Sequence, residues 1–251
     1  MLKLPLRIAV LECDTPMETI TSRFGAYPRI FSSLLNAAAD QLAYPGLSSK
    51  EGLELSAWDI VNGDKYPELE NIDAILITGS KYTAYDDDPW ILRLVEYTKK
   101  VLDQRRVRII GVCFGHQIVG RAMGVKLGRM EGWEASVMAM DLTKKGQEIF
   151  GKTAVALHQM HRDIVFEYPE GVEELMYTEK CKVHSMYIAK RLITVQGHPE
   201  FNEDIMKEII RVRHGSGLFG KEMYDDTTSR ADRYHDGVLV AEAFLRFLLE
   251  D

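Results

Sequence analysis

The sequence predicts an α/β fold built on an open, mostly parallel sheet with a small antiparallel β addition. Three observations carry that prediction. Up to residue 123, apolar strand-like runs alternate with helix-period segments, and a parallel sheet with right-handed crossovers is the economical packing for that order. The runs DAILIT at 73–78 and RIIGV at 108–112 are apolar almost throughout, as strands buried on both faces are. After Gly124 the pattern changes to short β-rich runs separated by turns.

Residues 6–11 (LRIAVL) read as the first strand, and Glu12-Cys13-Asp14-Thr15-Pro16 as a loop at its carboxyl end. Within 28–40, Ile30, Phe31, Leu34, Leu35 and Ala38 recur at helical spacing until Tyr44-Pro45-Gly46 breaks the segment. Residues 53–61 read as a second strand and 62–70 as a polar, turn-rich connection. The third strand, 73–78, runs into Gly79-Ser80-Lys81-Tyr82. Asp86-Asp87-Asp88-Pro89 then reads as an N-cap with proline in the first turn, opening a helix to Gln104. That acidic run is a solvated helix start rather than a cation site. The strand at 108–112 and the helix after it follow. Farther on, 125–129, 135–142 and 154–158 are short strand candidates with turns between them. Residues 175–178, 184–188 and 192–196 continue the series, with Lys190-Arg191 as a tight turn. Helix returns over 202–213 and 221–249, and loops within 12–26 and 215–230 are expected to supply pocket walls. No repeat or linker interrupts the chain. It reads as a single domain over 1–251, with a motif-bearing core at 6–213 and a C-terminal helical extension at 214–251.

A chain of 251 residues can bury a full core, and 46% hydrophobic with 27% charged content is ordinary for a globular protein. The formal net charge of −7 argues against nucleic acid as a partner, since phosphate binding needs a surplus of Lys and Arg. Met1-Leu2-Lys3-Leu4-Pro5 lacks the apolar core and cleavage site of a signal peptide. No run approaches the roughly 20 apolar residues of a membrane span. Cys13, Cys113 and Cys181 are odd in number and far apart, so they read as reduced thiols in a cytoplasmic chain. No membrane contact and no cofactor is expected.

The candidate chemistry centres on Gly111-Val112-Cys113-Phe114-Gly115. This is G-x-C-x-G, the cysteine counterpart of the G-x-S-x-G nucleophile elbow, and it makes Cys113 the candidate nucleophile. A thiol of pKa about 8.5 is mostly protonated at neutral pH and needs help. The amino end of the helix starting at Phe114 favours a thiolate, and the Phe114 N–H is placed to donate to an oxyanion. Gly79, in Thr78-Gly79-Ser80 at the end of the adjacent strand, is the candidate second donor, because glycine lets backbone N–H groups approach a substrate. Gln117, one helical turn after Cys113, is expected to aim its amide into the same pocket. Among seven histidines, His198 stands out in Val195-Gln196-Gly197-His198-Pro199-Glu200-Phe201, at the end of an apolar strand. In an extended segment His198 and Glu200 face the same side, so Glu200 is the candidate orienter, with Pro199 stiffening the pair. His158-x-x-His161 with Asp163 is a weak metal signal; it reads as a substrate-side loop, and no metal is expected. Cys13 and Cys181 read as structural.

Gly111-Val112-Cys113-Phe114-Gly115-His116-Gln117, followed by Gln196-Gly197-His198-Pro199-Glu200-Phe201, resembles the class I glutamine amidotransferase domain with its Cys-His-Glu triad. Ile77-Thr78-Gly79-Ser80 stands where that family has its oxyanion loop, and the likeness covers most of 6–213. The resemblance implies a flavodoxin-like domain with helices on both faces of the sheet. It also implies a mechanism: Cys113 attacks a γ-glutamyl amide, a γ-glutamyl thioester forms, and His198 acts as acid and base for its hydrolysis. Gln117 and Ser80 would then hold the glutamyl moiety, with His161 beside it. Members of the family usually serve a synthetase that consumes the released ammonia, fused or as a partner. Nothing here resembles a nucleotide pyrophosphatase or ATP-grasp domain, and Thr78-Gly79-Ser80-Lys81-Tyr82 departs from the Gly-Gly-Pro of many members. With Asp88-Pro89-Trp90-Ile91, and Asn202 after His-Pro-Glu-Phe, the chain is similar to stand-alone γ-glutamyl peptidases, which cleave glutathione and its conjugates. The expected function is cysteine-dependent hydrolysis of a γ-glutamyl bond in a small molecule, namely glutathione, a conjugate or glutamine. The alternatives are a glutaminase subunit feeding a separate synthetase, and a catalytically silent binding protein on the same fold.

Overall fold

The structure, a computed structural model, describes residues 3–251. Met1 and Leu2, part of the opening stretch read above as lacking a signal, lie outside the described residues. The first half of the chain is β1 (Leu6–Glu12), α1 (Glu18–Phe24), α2 (Tyr27–Leu42), β2 (Leu53–Asp59), β3 (Ala74–Ile77), α3 (Pro89–Gln104), β4 (Arg108–Val112) and α4 (Phe114–Ala122). The second half is β5 (Leu127–Leu142), α5 (Lys144–Phe150), β6 (Ala154–Val165), β7 (Glu173–Glu174), β8 (Met176–Tyr177), β9 (Ser185–Ile188), β10 (Leu192–Val195), α6 (Glu203–Gly215), α7 (Lys221–Thr228) and α8 (Gly237–Leu249).

A seven-stranded sheet runs in the order β2-β1-β3-β4-β10-β9-β7. Strands β2 through β10 in that order are mutually parallel, and β9 and β7 add antiparallel pairs at one edge. Successive side chains of β1 point to opposite faces: Leu6, Ile8 and Val10 join the apolar cluster of α2 and α8, whereas Ala9 and Leu11 join that of α3 and α4. The inner strands β3, β4 and β10 are buried along their whole length, which is why they are apolar almost throughout, whereas the edge strand β2 is partly exposed and carries Glu54, Ser56 and Asp59. Helix α8 packs on α2, and its last carbonyls are met by Arg108, which donates to the Phe247 carbonyl oxygen and, at 2.6 Å, to that of Glu250. A cation at a helix C-terminus satisfies acceptors that the helix itself leaves open.

The second half corrects several expectations. The short strands at 125–129, 135–142 and 154–158 are one long hairpin, β5 with β6, whose register shifts between Arg129 and Glu134. That bulge interrupts the alternation that a sequence pattern relies on. Strand β6 continues past His158 to Val165, so His161 lies in a strand and not in a loop. Helix α5 stands where only a turn was expected, capped by the Thr143 hydroxyl accepting from the Gly146 N–H. Helix α1 lies inside the supposed loop at 12–26, and the helix expected at 221–249 is broken between α7 and α8. Asp88 precedes α3 as expected, but its side chain makes no cap hydrogen bond. Among the described residues no helix is long and apolar enough to cross a membrane.

Candidate active site

The corner between β4 and α4 is Cys113, with φ 52° and ψ −102°. L-residues rarely adopt that backbone conformation, and it persists only where the surroundings hold it. Two close contacts do so. A Cβ on Gly111 would lie 2.9 Å from the Gly115 carbonyl oxygen, and one on Gly115 would lie 2.2 Å from that of Ile77. Helix α4 thus starts tight against β4 and β3, and the chain turns within one residue. The Cys113 N–H donates to the Val195 carbonyl oxygen at 2.8 Å, which ties the corner to β10. Burial pushes the thiols of Cys13 and Cys181 up, keeping both protonated.

His198 sits just beyond β10. Its N–H donates to the His158 carbonyl oxygen at 2.8 Å, a bridge that docks the β5–β6 sheet against the end of β10. Its Nδ1 lies 2.8 Å from Glu200 Oε1, and its ring stacks on Phe201 with centroids 4.0 Å apart and planes within 5°. The segment is a turn, not the extended strand expected, yet the two side chains meet. Burial opposes charge on His198, but Glu200 and then Cys113 outweigh it and push the imidazole up to about 10. An imidazolium between carboxylate and sulfur is the state that favours a thiolate. Gly79 completes the arrangement. A Cβ there would come within 2.7 Å of His198 Cε1 and 3.6 Å of Cys113 Cβ, so any larger residue would push the imidazole aside. The Thr78 hydroxyl fixes this loop, accepting from the Cys13 N–H at 3.0 Å and donating to the Gly79 carbonyl oxygen at 3.1 Å. The Phe114 N–H belongs to the first turn of α4, where the helix supplies donors no internal partner.

Two cavities open on this pair. One of about 110 Å³ is lined by Cys113, Trp133 and Asp163 with Arg129, Arg162 and Arg213. The other, of about 310 Å³, reaches His198 and is walled by Met17, Ile20, Tyr27, Ile205, Ile209 and Val212. Ser80, Lys81, Met160 and Arg213 border both. Ser80 lines them, but its hydroxyl donates to the Cys13 carbonyl oxygen at 2.7 Å and accepts from the Tyr82 N–H at 3.1 Å. Gln117 and His161 border the smaller cavity. The Gln117 amide nitrogen is already used, donating to the Asp163 carbonyl oxygen at 2.7 Å and to Gln196 Oε1 at 3.1 Å.

The model of the glutamine amidotransferase class-I family matches residues 47–212 of this chain. The chain belongs to that family. A Schizosaccharomyces pombe protein named as glutamine amidotransferase-like is 36% identical over 249 residues, covering 97% of this chain and 98% of its own. Gamma-glutamyl peptidase 2 of Arabidopsis thaliana is 30% identical over 217 residues, covering 84% and 82%. A solved glutamine amidotransferase from Thermotoga maritima matches with TM-score 0.73 over 98% of this chain and 99% of its own; at 17% identity this is a likeness of fold. The flavodoxin-like sheet with its antiparallel addition is therefore the class I amidotransferase fold.

Around Cys113 and His198 stand residues that sequence reasoning missed. Arg213, one position past the end of the family match, stacks on Trp133 at 4.9 Å, and Arg162 stacks on the same ring at 5.0 Å. Burial works against the charge of Arg213 and Cys113 works for it. The available signal was an arginine one turn past Ile209, on the stripe of α6 that otherwise carries Ile205 and Ile209. Gln196 Nε2 lies 3.5 Å from Cys113 Sγ. Trp133 falls in the bulge, where no periodicity could flag it. Beneath the smaller cavity lies a buried cluster. Glu134 Oε2 is 2.7 Å from His184 Nε2 and 3.0 Å from His161 Nε2, and the Thr178 hydroxyl donates to Oε1 at 2.6 Å. Burial penalises the Glu134 charge, but His161 and His184 hold its carboxyl below the usual range. Burial, with neighbouring histidines, pushes His116 and His158 down to about 3, so both are neutral.

Proposed function

We propose that this chain hydrolyses γ-glutamyl amide bonds whose leaving amine is larger than ammonia, as in glutathione and its conjugates. The observation carrying the reading is the pairing of a small charged cavity at Cys113 with a larger apolar one at His198. A γ-glutamyl group ends in an α-carboxylate and an α-ammonium. Arg213, whose buried Nε has no hydrogen-bond partner among the described residues, suits the carboxylate, and Asp163 suits the ammonium. The apolar walls on the His198 side stabilise an amine with a hydrophobic body, which ammonia lacks. The Arabidopsis relative named as a gamma-glutamyl peptidase supports the same class.

In this reading the Cys113 thiolate attacks the γ-carbonyl carbon and forms a C–S bond. The carbonyl oxygen takes the charge and is met by the Phe114 and Gly79 N–H groups. As the intermediate collapses, the C–N bond breaks and the His198 imidazolium gives its proton to the departing amine. The neutral imidazole then takes a proton from water, whose oxygen attacks the γ-glutamyl thioester. Glutamate leaves as the C–S bond breaks, restoring thiolate and imidazolium. Glu200 holds the ring and balances its charge throughout.

The test measures glutamate released by the pure protein from glutamine, glutathione and a glutathione S-conjugate offered separately. The expected kcat/KM is at least about tenfold higher for the conjugate than for glutamine, as apolar contact of this extent implies. Preferred turnover of glutamine, rising when a synthetase is added, would overturn the reading in favour of an ammonia-delivering subunit. No release from any substrate, with Cys113 unlabelled by a thiol-reactive glutamine analogue, would establish a silent protein.

A further inference from the structure

We propose that Glu134, His161 and His184 form a binding site for one divalent transition-metal ion of the zinc class, distinct from the Cys113–His198 pair. The three side chains come from β5, from β6 and from the residue before β9, and one ligand atom of each lies within 4.8 Å of the others. Two imidazoles and one carboxylate are a donor set that holds zinc with a coordination position left open, or iron(II) in a facial arrangement.

The geometry favours convergence on a common point over simple pairing. The two imidazole planes stand 78° apart, so they approach Glu134 Oε2 from different directions. His161 Nε2 lies 3.0 Å from that oxygen, yet it is not aligned to hydrogen-bond to it and has no other partner among the described residues. A buried ring nitrogen left without a partner is costly, and an ion between the three groups would use its lone pair. Thr178 donates to Oε1 only, which turns Oε2 toward the histidines in the manner of a residue that orients a ligating carboxylate. Donor atoms 2.0–2.1 Å from a tetrahedral ion stand roughly 3.3 Å apart. Reaching that from contacts of 2.7 and 3.0 Å takes an outward shift of a few tenths of an ångström. His161, one of the three, also lines the smaller cavity. The ion would also pin the β5–β6 hairpin to the segment leading into β9.

The experiment uses the full chain carrying Cys113→Ser, which removes the thiolate as a competing ligand. The protein is stripped with chelator and titrated with cobalt(II) alone, then with zinc(II) in competition. The expected result is one equivalent of cobalt retained through gel filtration, with the visible absorption of a low-coordinate nitrogen and oxygen site, displaced by zinc. Glu134→Gln and His184→Gln should each weaken uptake about 100-fold, and Thr178→Val about tenfold, as loss of an orienting partner does. Far-UV circular dichroism identifies any variant that fails to fold, in which case the Cys113→Ser titration decides. Absence of retained cobalt on folded Cys113→Ser protein, or uptake unchanged in folded Glu134→Gln and His184→Gln variants, would overturn the proposal.

Discussion

The two cavities that meet at the Cys113–His198 pair differ in kind as well as in size. The one at Cys113 is small, about 110 Å³, and carries three arginines and an aspartate. The one at His198 is about 310 Å³ and is lined mostly by apolar side chains, among them Ile20 of α1, Tyr27 and Ile30 of α2, and Ile205, Ile209 and Val212 of α6. A site that only released ammonia would need the first and have little use for the second. Under the function proposed above, the asymmetry would divide recognition across the scissile bond, with charge complementarity for the acyl group and apolar contact for the amine.

The largest effect should be common to both sides. Cys113→Ala is expected to lower turnover of glutamine and of conjugates alike by on the order of 10⁴-fold with the melting temperature little changed, measured by glutamate release and calorimetry. Retained activity would remove the shared centre from the comparison. Glu200→Gln should cost roughly 10²- to 10⁴-fold on both substrates, because the imidazole loses its orienter. That variant also carries a pH signature. His198 is raised to about 10 from an ordinary 6.5. Its charged form therefore contributes stability that is complete below about pH 6.5 and lost as pH rises through about 10. The melting-temperature gap between wild type and Glu200→Gln should narrow over that window, and a widening gap would refute the assignment.

Smaller changes test each side alone. Arg213→Ala should raise KM about 10- to 100-fold for glutamine and conjugate equally, since both carry the same carboxylate. An effect confined to conjugates would reverse the roles of the cavities. Ile209→Asp should raise KM about tenfold for an apolar S-conjugate and leave glutamine nearly unchanged. Phe201→Leu, which removes the stacked support of His198, should lower kcat by roughly two- to fivefold on both substrates.

The parallel half of the fold and the triad candidates were legible for a common reason. Strands buried on both faces need continuous apolar runs, and Gly111 and Gly115 are required because any Cβ would strike backbone. Such constraints act within a few residues and leave local marks. The hairpin β5–β6 left weaker marks, because its bulge between Arg129 and Glu134 shifts the alternation partway along. Arg213 and Trp133 are 80 positions apart and meet only through the folded chain. His161 carried a visible motif with His158, but the structure pairs it with Glu134 and His184 instead, residues that no spacing rule would have joined. Ser80 and Gln117 border the smaller cavity, and their polar atoms are largely engaged by neighbouring backbone and side chains.

Helix α6 opens three residues after Glu200 and is capped by Asn202, whose side chain accepts from the Ile205 N–H at 2.9 Å. The same rod then presents Ile205, Ile209, Val212 and Arg213 to the cavities. If the proposed function holds, selectivity would be concentrated in one replaceable element. Substitutions along this helix would then alter which amines are accepted, while the strained corner and the imidazole are left untouched. On that reading, a change of substrate would need no change to the catalytic corner.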